Sequence, residues 1–254
     1  LGFDLAGDVV EIGDRATGFQ LGDAIYGIAS LSGGGYAEFA AVPAKSVAPK
    51  PRNLNYVEAA SIPGAAITAL QALRDCGKLE SGQSVLINGA SGGVGSFAVQ
   101  IGKLLKAEVT GVCSTRNLEW VKGLGCDRVI DYTQQDFTRE AARYDLIFDA
   151  VAKRSFGACK TALKPRGIYV NTLPNASLML QSLLTALLPG KKAKLVFESP
   201  NRKDLAYLKD AIEAGKIRTV IDRVYPLSEI AEAHRYSETE RAAGKIGIEI
   251  EHSS

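Results

Sequence analysis

A glycine-rich stretch between an apolar run and an amphipathic segment constrains the fold of this chain more than any other feature. The run Val85-Leu86-Ile87 precedes Ala90-Ser91-Gly92-Gly93-Val94-Gly95. Apolar residues then recur at helical spacing, and they are Val94, Phe97, Ala98, Ile101, Leu104 and Leu105. The order strand, glycine turn, helix predicts one unit of a doubly wound α/β fold.

The same turn predicts a site for a pyrophosphate. A helix N-terminus presents unpaired backbone N–H groups and a partial positive charge. Gly92 and Gly93 have no side chain to block an approaching anion, and Gly95 lets the helix pack close to the strand. The pattern favours dinucleotide binding. The alternative is a glycine-rich turn between a strand and a helix that binds no ligand.

Composition narrows the class of protein. The 254 residues have a net charge of +2, with both signs interspersed, so no basic face for nucleic acid is indicated. The four cysteines lie far apart without a CxxC pair, which predicts reduced thiols in the cytoplasm or another reducing compartment. No stretch reaches the length of a transmembrane helix. The most apolar segment, residues 178–188, precedes three lysines and is interpreted as a core or subunit-interface helix, with contact to a membrane surface as the alternative.

Residues 1–57 have a β-rich pattern, with strands predicted at residues 5–12 and 36–42. Residues 56–76 are predicted to be helical, with a break at Pro63-Gly64. After Pro200 the pattern predicts a helix at 205–214, a strand at 220–224, a helix at 229–236 capped by Ser228, and a strand at 245–250.

Between these regions, strands and helices alternate, which predicts a parallel Rossmann sheet with helices on both faces. The predicted strands are residues 85–88, 109–113, 128–131, 146–150, 168–171 and 194–197. Lys164-Pro165-Arg166-Gly167 is predicted to be a turn. The domains expected are therefore a β-rich part at 1–57, a dinucleotide-binding domain at 58–199, and a return to the β-rich part at 200–254.

The end of the second predicted strand of this sheet bears on the choice of nicotinamide cofactor. An acid at that point accepts hydrogen bonds from a ribose 2′-OH, whereas an arginine accommodates a 2′-phosphate. The strand at 109–113 runs into Ser114-Thr115-Arg116-Asn117, where no acid stands. The sequence favours NADP(H) over NAD(H). The alternative is that Arg116 is a solvated loop charge.

At this point the chain resembles the medium-chain dehydrogenase/reductase superfamily, and within it the zinc-independent quinone oxidoreductase-like branch. The stretches that match occur in the family's order and span essentially the whole chain. They are Gly2-Phe3-Asp4-Leu5-Ala6-Gly7, Phe19-Gln20-Leu21-Gly22-Asp23, Gly35-Tyr36-Ala37-Glu38, Ala65-Ala66-Ile67-Thr68-Ala69, the turn from Gly89 to Gly95, Asp131-Tyr132, Phe148-Asp149-Ala150-Val151 and Gly244-Lys245. The resemblance implies that the β-rich part is a GroES-like substrate domain. It also implies that further N-terminal residues normally complete that domain, so the chain is expected to be truncated.

The resemblance also bears on metal binding. The zinc-dependent branch has Gly-His-Glu where this chain has Gly2-Phe3-Asp4, and phenylalanine cannot bind a metal. No two cysteines have metal-ligand spacing, so we expect no zinc site.

The resemblance further implies cofactor contacts along the chain. Thr68 would reach the nicotinamide, the turn of Ser91, Gly92, Gly93 and Val94 would hold the pyrophosphate, and Ser114 and Arg116 would take the 2′-phosphate. The remaining implied contacts are Tyr132 beside the adenosine, Ala150 and Val151 after the fourth strand, and Thr172 and Leu173 flanking the nicotinamide. For Thr68 and Tyr132, packing or capping is the alternative role. Where the family usually has glycine after Asp-x-Val, this chain has Ala152, whose methyl group is expected to narrow the cofactor edge.

The activity implied is hydride transfer from NADPH to a quinone or an α,β-unsaturated carbonyl, with no residue identified as the catalytic proton donor. An NADP-dependent alcohol dehydrogenase or carbonyl reductase is less favoured without a zinc Lewis acid. A short-chain dehydrogenase is disfavoured because no tyrosine has a lysine four residues later. A non-catalytic NADPH-binding protein, as among lens crystallins of the superfamily, stays open. The resemblance also implies a homodimer that pairs edge strands, here the strand from Lys194 to Phe197.

Overall fold

The structure, a computed structural model, describes residues 2–29 and 33–250. The chain divides into two compact units, one formed by Leu1–Ile67 with Ser199–Ser254 and the other by Thr68–Glu198. Domain boundaries at residues 57 and 199 stay a prediction.

The strands are β1 Asp4–Asp8, β2 Ala24–Ile28, β3 Val47–Pro49, β4 Ser84–Asn88, β5 Glu108–Cys113, β6 Arg128–Asp131, β7 Tyr144–Asp149, β8 Leu163–Asn171, β9 Lys192–Leu195, β10 Ile221–Pro226 and β11 Lys245–Glu249. The helices are α1 Tyr56–Ala60, α2 Pro63–Leu70, α3 Gly93–Leu104, α4 Leu118–Lys122, α5 Phe156–Cys159, α6 Ala176–Leu187, α7 Arg202–Glu213 and α8 Ile230–Glu238. A π-helical turn, Gln71–Cys76, continues α2, and short 3-10 turns lie at Ala44–Ser46, Thr115–Asn117, Phe137–Arg139 and Leu227–Glu229.

The unit Thr68–Glu198 contains a six-stranded parallel sheet. Its strand order is β6-β5-β4-β7-β8-β9, and every neighbouring pair is parallel. The order reverses beside β4, which makes the carboxyl end of β4 the topological switch point of the sheet. The predicted α/β class with a Rossmann sheet is therefore confirmed.

Strand β4 is buried along its whole length, as expected of a central parallel strand covered on both faces. A hydrophobic core of buried residues lies where the sheet packs against the helices and turns beside it. Its largest members are Tyr144, Tyr169, Phe137, Phe156, Ile147 and Leu86.

The other unit contains two small sheets. In the first, β1, β2 and β3 pair antiparallel, and in the second, β10 and β11 pair in parallel. The carboxylate of Asp4 on β1 accepts from the backbone N–H of Gly64 at 2.8 Å and pairs with Lys245 at 3.1 Å. These contacts tie the two ends of this unit's chain together.

Three local predictions were wrong. Residues 36–42 form no strand: the chain bends at 36–38, and Phe39 is 69% exposed, so the apolar alternation there has no partner strand to pack on. Residues 164–167 lie within β8, where the register jumps between the pairs Tyr144–Leu163 and Leu146–Ile168, so the turn residues form an irregularity in a strand. Ser228 lies within a 3-10 turn, and α8 begins after Glu229 without a side-chain cap.

Candidate functional site

The glycine turn connects β4 to α3 through main-chain contacts. The backbone N–H groups of Gly89 and Ala90 donate to the carbonyl of Val112 on β5, at 3.1 and 2.9 Å. Gly92 is the N-cap of α3 and has no side chain to satisfy the first N–H groups of the helix. The N-terminus of α3 therefore presents free donors and the positive end of its dipole at the switch point.

Two glycines of the turn are there because nothing larger fits. A Cβ on Gly95 would stand 2.0 Å from the carbonyl oxygen of Gly89, so only glycine lets α3 approach the turn this closely. Gly89 has a φ of +83°, and a Cβ there would meet the side chain of Val151 at 2.4 Å. These contacts fix the turn between the strand and the helix.

Gly92 has the opposite surroundings. A Cβ on Gly92 would meet only the carbonyl oxygen of Gly89, at 3.5 Å, so the space over the helix N-terminus is open. Ser91, Gly92, Gly93 and Val94 are half-buried, and they line that space. Unpaired main-chain N–H groups at the N-terminus of a helix are chemically suited to an anion.

Beside this turn, the chain after β5 forms a polar corner. Ser114 is the N-cap of the turn Thr115–Asn117 and accepts from the amide of Asn117 at 3.3 Å. Arg116 is exposed on that turn. Both residues lie at the carboxyl end of β5, next to the glycine turn after β4, because the two strands are parallel neighbours.

An acid to which the sequence assigned no role also lies in this corner. Asp131 ends β6 and accepts from the hydroxyl of Thr115 at 2.6 Å. It also accepts from Thr133 and Gln134. The hydrogen bond from Thr115 is the main reason that the pKa of Asp131 lies below its usual range. The carboxylate thus anchors the corner, and it comes from the third strand of the sheet in chain order, one strand later than the position at which a ribose-binding acid is expected. Tyr132, the next residue, is 58% exposed.

The chain after β7 contains a strained residue. Ala150 is half-buried and donates its N–H to the carbonyl of Asn88, and Val151 covers Gly89. Ala152 follows with a φ of +53°, a left-handed conformation that favours glycine. The resembled family usually has glycine at this position. Here the residue is an alanine, but its backbone still adopts the left-handed conformation that favours glycine.

A buried polar network lies beneath the carboxyl ends of β4, β7 and β8. The carboxylate of Asp149, 0% exposed, accepts from the amide of Asn88 at 2.8 Å, the backbone N–H of Arg154 at 2.8 Å and the hydroxyl of Tyr169 at 3.2 Å. The amide of Asn171 donates to the Tyr169 oxygen at 2.7 Å, and its own oxygen accepts from the N–H of Leu173 at 2.8 Å.

This network positions part of the predicted site. Because Asn171 holds the backbone of Leu173, it fixes the chain immediately after β8, where Thr172 is half-buried and Leu173 is exposed. Burial is the main reason that the pKa of Tyr169 is raised, so the hydroxyl stays a neutral donor. The sequence analysis named Ala150, Val151, Thr172 and Leu173 but missed the side chains that hold them.

Thr68 lies on α2 and donates its hydroxyl to the carboxylate of Glu198 at 3.1 Å. Both side chains are half-buried, and Glu198 follows the end of β9. The predicted site residues on the sheet therefore follow β4, β5, β6, β7 and β8 at one edge, and Thr68 contacts the chain that follows β9. The sequence analysis did not identify Glu198, since a lone glutamate after a strand has no motif.

The cysteines offer no reactive thiolate. Burial raises the pKa of Cys113 to about 11, and that of Cys126 and Cys159 to about 12. All four cysteines are free thiols. Across residues 2–29 and 33–250, no cluster of three or more His, Cys, Asp or Glu side chains is arranged to hold a metal ion. No helix in the part of the chain that the structure describes is long and apolar enough to span a membrane.

Comparisons with known proteins agree with this geometry. Residues 1–52 match the family model described as alcohol dehydrogenase GroES-like domain, and residues 124–246 match the one described as zinc-binding dehydrogenase. The chain is 34% identical to the chloroplast envelope quinone oxidoreductase homolog of Arabidopsis thaliana, over 97% of this chain and 78% of that protein. It is also 34% identical to a chloroplastic NADPH-dependent alkenal/one oxidoreductase of the same plant, over 97% of this chain and 63% of that protein.

A solved structure, that of the quinone oxidoreductase from Coxiella burnetii, superposes with a TM-score of 0.89. That protein shares 29% identity, and the match covers 99% of this chain and 79% of that one. The chain belongs to the medium-chain dehydrogenase/reductase family, in its quinone oxidoreductase-like branch, and is an oxidoreductase whose family binds a nicotinamide dinucleotide.

Proposed function

We propose that this protein uses NADPH to reduce quinones or the carbon–carbon double bond of α,β-unsaturated carbonyl compounds, without a metal ion. The observation that most supports the proposal is the open N-terminus of α3 at the switch point, in a chain whose relatives include quinone and alkenal/one oxidoreductases. The reduced nicotinamide, when bound, supplies a hydride. The chain's own part is to bind and orient the cofactor and the acceptor.

The glycine turn would hold the pyrophosphate of the cofactor. The first N–H groups of α3, from Gly93 onward, have no side-chain cap to compete for them. Gly92 leaves the approach to these N–H groups open because it has no side chain. Main-chain donors and a helix dipole suit two adjacent phosphates of any nicotinamide dinucleotide, so this part of the site is indifferent to the 2′ position.

The choice of NADPH depends on the corner after β5. Arg116 is exposed, and a guanidinium binds a phosphate through paired, charge-assisted hydrogen bonds. Ser114 adds a hydroxyl beside it. Asp131 opposes a phosphate by its charge, but its carboxylate already accepts from Thr115, Thr133 and Gln134. Its neighbour Tyr132 is exposed at the same edge and would pack against the adenosine.

Zinc chemistry is not part of the proposal. Phe3 stands where the zinc-dependent branch of the family has a histidine ligand, and a phenyl ring has no donor atom. The buried cysteines have raised pKa values, which disfavour the thiolate form that zinc requires. An acceptor with a conjugated double bond suits such a site better than a simple aldehyde or ketone, because its β-carbon is electrophilic without a Lewis acid.

The test is an NADPH oxidation assay with purified protein against a panel of quinones, enones, enals and simple aldehydes. The proposal predicts turnover of quinones or enones and negligible turnover of simple aldehydes. Turnover restricted to simple aldehydes would indicate a carbonyl reductase instead. Tight NADPH binding without turnover of any acceptor would indicate a non-catalytic NADPH-binding protein. Loss of activity on dialysis against a chelator, with recovery on zinc addition, would contradict the metal-free mechanism.

We also propose a homodimer. Strand β9 forms one edge of the six-stranded sheet, and an unpaired edge is a template for another strand. The adjacent helix α6 exposes several large apolar side chains, with Leu187 at 82%, and an apolar groove of about 510 Å³ runs between the helix and β9. Burial of this surface against a second copy would remove a patch that monomers rarely expose. A light-scattering mass equal to one chain would contradict the dimer.

The remaining parts of the proposal concern domains and compartment. Residues 1–57 and 200–254 would form the GroES-like substrate part, and residues 58–199 the cofactor domain. The match of residues 1–52 to the GroES-like family model supports this division. Four free thiols fit the cytoplasm or another reducing compartment. Expression with a fluorescent tag would test the location.

A further inference from the structure

A hydrogen bond between Thr68 on α2 and Glu198 after β9 holds a carboxylate that no sequence motif indicates. The two residues are 130 positions apart, and the Thr68 hydroxyl lies 3.1 Å from the Glu198 carboxylate. Both are half-buried. A half-buried carboxylate is screened less than a surface one, so its field acts over several ångströms.

The fold defines the side of the sheet on which this pair lies. The glycine turn follows β4, near the middle of the edge, and the polar corner, which would take the adenosine, follows β5 and β6. A dinucleotide that crosses the switch point places its second nucleoside over the other half, beyond β7, β8 and β9. The N–H of Val196 donates to the carbonyl of Asn171 at 3.0 Å, so the chain after β9 still runs beside the end of β8. Glu198 follows two residues later.

We propose that Glu198, held in place by Thr68, makes the site prefer the oxidised over the reduced nicotinamide. The inference rests on the proposed use of NADPH. The nicotinamide ring has a positive charge in NADP⁺ and none in NADPH, so a nearby carboxylate stabilises only the oxidised form. Tighter binding of the oxidised form makes the bound reduced form a stronger hydride donor than the free one. Glu198 is thus a specificity-determining residue for redox state.

The test compares dissociation constants for NADP⁺, NADPH and 2′,5′-ADP, measured by calorimetry on the wild type, Glu198→Gln and Thr68→Val. Glutamine keeps an oxygen that accepts from Thr68 but removes the charge. We expect Glu198→Gln to weaken NADP⁺ relative to NADPH by roughly three- to tenfold, with the affinity for 2′,5′-ADP unchanged. Thr68→Val keeps the charge but removes the hydrogen bond that holds it, so its ratio is expected to fall between those of the wild type and Glu198→Gln.

An unchanged NADP⁺ to NADPH ratio in Glu198→Gln, with intact 2′,5′-ADP binding, would overturn the inference and leave a purely structural role for the pair. Glu198→Ala is the second neutral variant and must give the same shift if the glutamine variant does not fold. A wild-type protein that binds neither NADPH nor 2′,5′-ADP would refute the proposed function itself. That outcome is distinguishable because it does not depend on any substitution.

Discussion

Two aspartates at the same edge of the sheet, each at the end of a strand, have opposite surroundings. Asp149, at the end of β7, is fully buried and accepts hydrogen bonds from Asn88, Tyr169 and a backbone N–H. Asp131, at the end of β6, lies at the surface and accepts from Thr115 and nearby polar groups. One half of the edge is therefore held by a buried network, and the other by a cluster in contact with water.

The two halves of this edge are therefore expected to differ in how well they tolerate substitution. A buried charge depends on every donor around it, so the half with Asp149 resists change and fixes geometry. Hydrogen bonds at the surface exchange with water at little net cost, so the half with Asp131 should tolerate substitution. Under the proposed function, that is also the half in which the choice of cofactor could be altered.

The largest effect is expected for Asp149→Asn. The amide would place an N–H₂ group against groups that donate to the carboxylate, so the free energy of unfolding should fall by about 2–3 kcal/mol. Urea unfolding measures it. Asp131→Asn is the matched control, and its midpoint should shift far less. Equal shifts in the two variants would remove the distinction between the halves.

The next effect concerns cofactor choice. Arg116→Ala should lower the ratio of kcat/KM for NADPH to that for NADH by roughly tenfold, because the proposed function assigns the 2′-phosphate to its guanidinium. Steady-state kinetics with both cofactors measures the ratio. Lys122→Ala removes an exposed cation from α4, a few residues along the chain, and should leave the ratio unchanged. An unaffected ratio in Arg116→Ala would mean that NADPH is selected elsewhere.

A smaller, opposite effect is expected for Ala152→Gly. The left-handed φ of +53° strains an alanine, whereas glycine adopts it freely but loses more entropy on folding. The variant should be more stable by about 0.5–1 kcal/mol by urea unfolding. Ala158→Gly, in the short helix α5, is the control and should be less stable. A destabilised Ala152→Gly would show that its methyl group packs favourably.

The smallest effect is an absence of reaction. Cys159 lies near Asp149 and Cys113 near Asp131, and burial raises their pKa values to about 12 and about 11. At pH 7 neither thiol should react with iodoacetamide in the native protein. In Asp149→Asn, peptide mapping should find labelling at Cys159 before Cys113, because local opening is expected only around the buried network. Simultaneous labelling of both would indicate global unfolding.

The sequence predicted the features that local spacing determines. Apolar periodicity and glycines located the turn between β4 and α3, and the alternation of strands and helices predicted the parallel sheet. Parallel strands then place the ends of β5, β6 and β7 at one edge automatically. Which of these residues bind the cofactor stays a prediction.

Long-range pairing was not predictable in the same way. Asn88 and Asp149 are 61 residues apart, and Thr68 and Glu198 are 130 apart, so their contacts depend on strand register and loop length. The strand predicted at residues 36–42 failed for the same reason, since an alternating pattern forms a strand only when a partner is present. Local chemistry specifies elements, and the tertiary fold decides which polar groups meet.

The turn between β4 and α3 has a consequence for mutational scanning. The donors at this helix terminus are main-chain N–H groups, which no substitution except proline removes. Alanine scanning there adds a methyl group instead of deleting an interaction, so it measures free space: none at Gly95, some at Gly92. If the turn holds phosphate as proposed, the loss of a side chain there would not impair that function, and only the gain of one would.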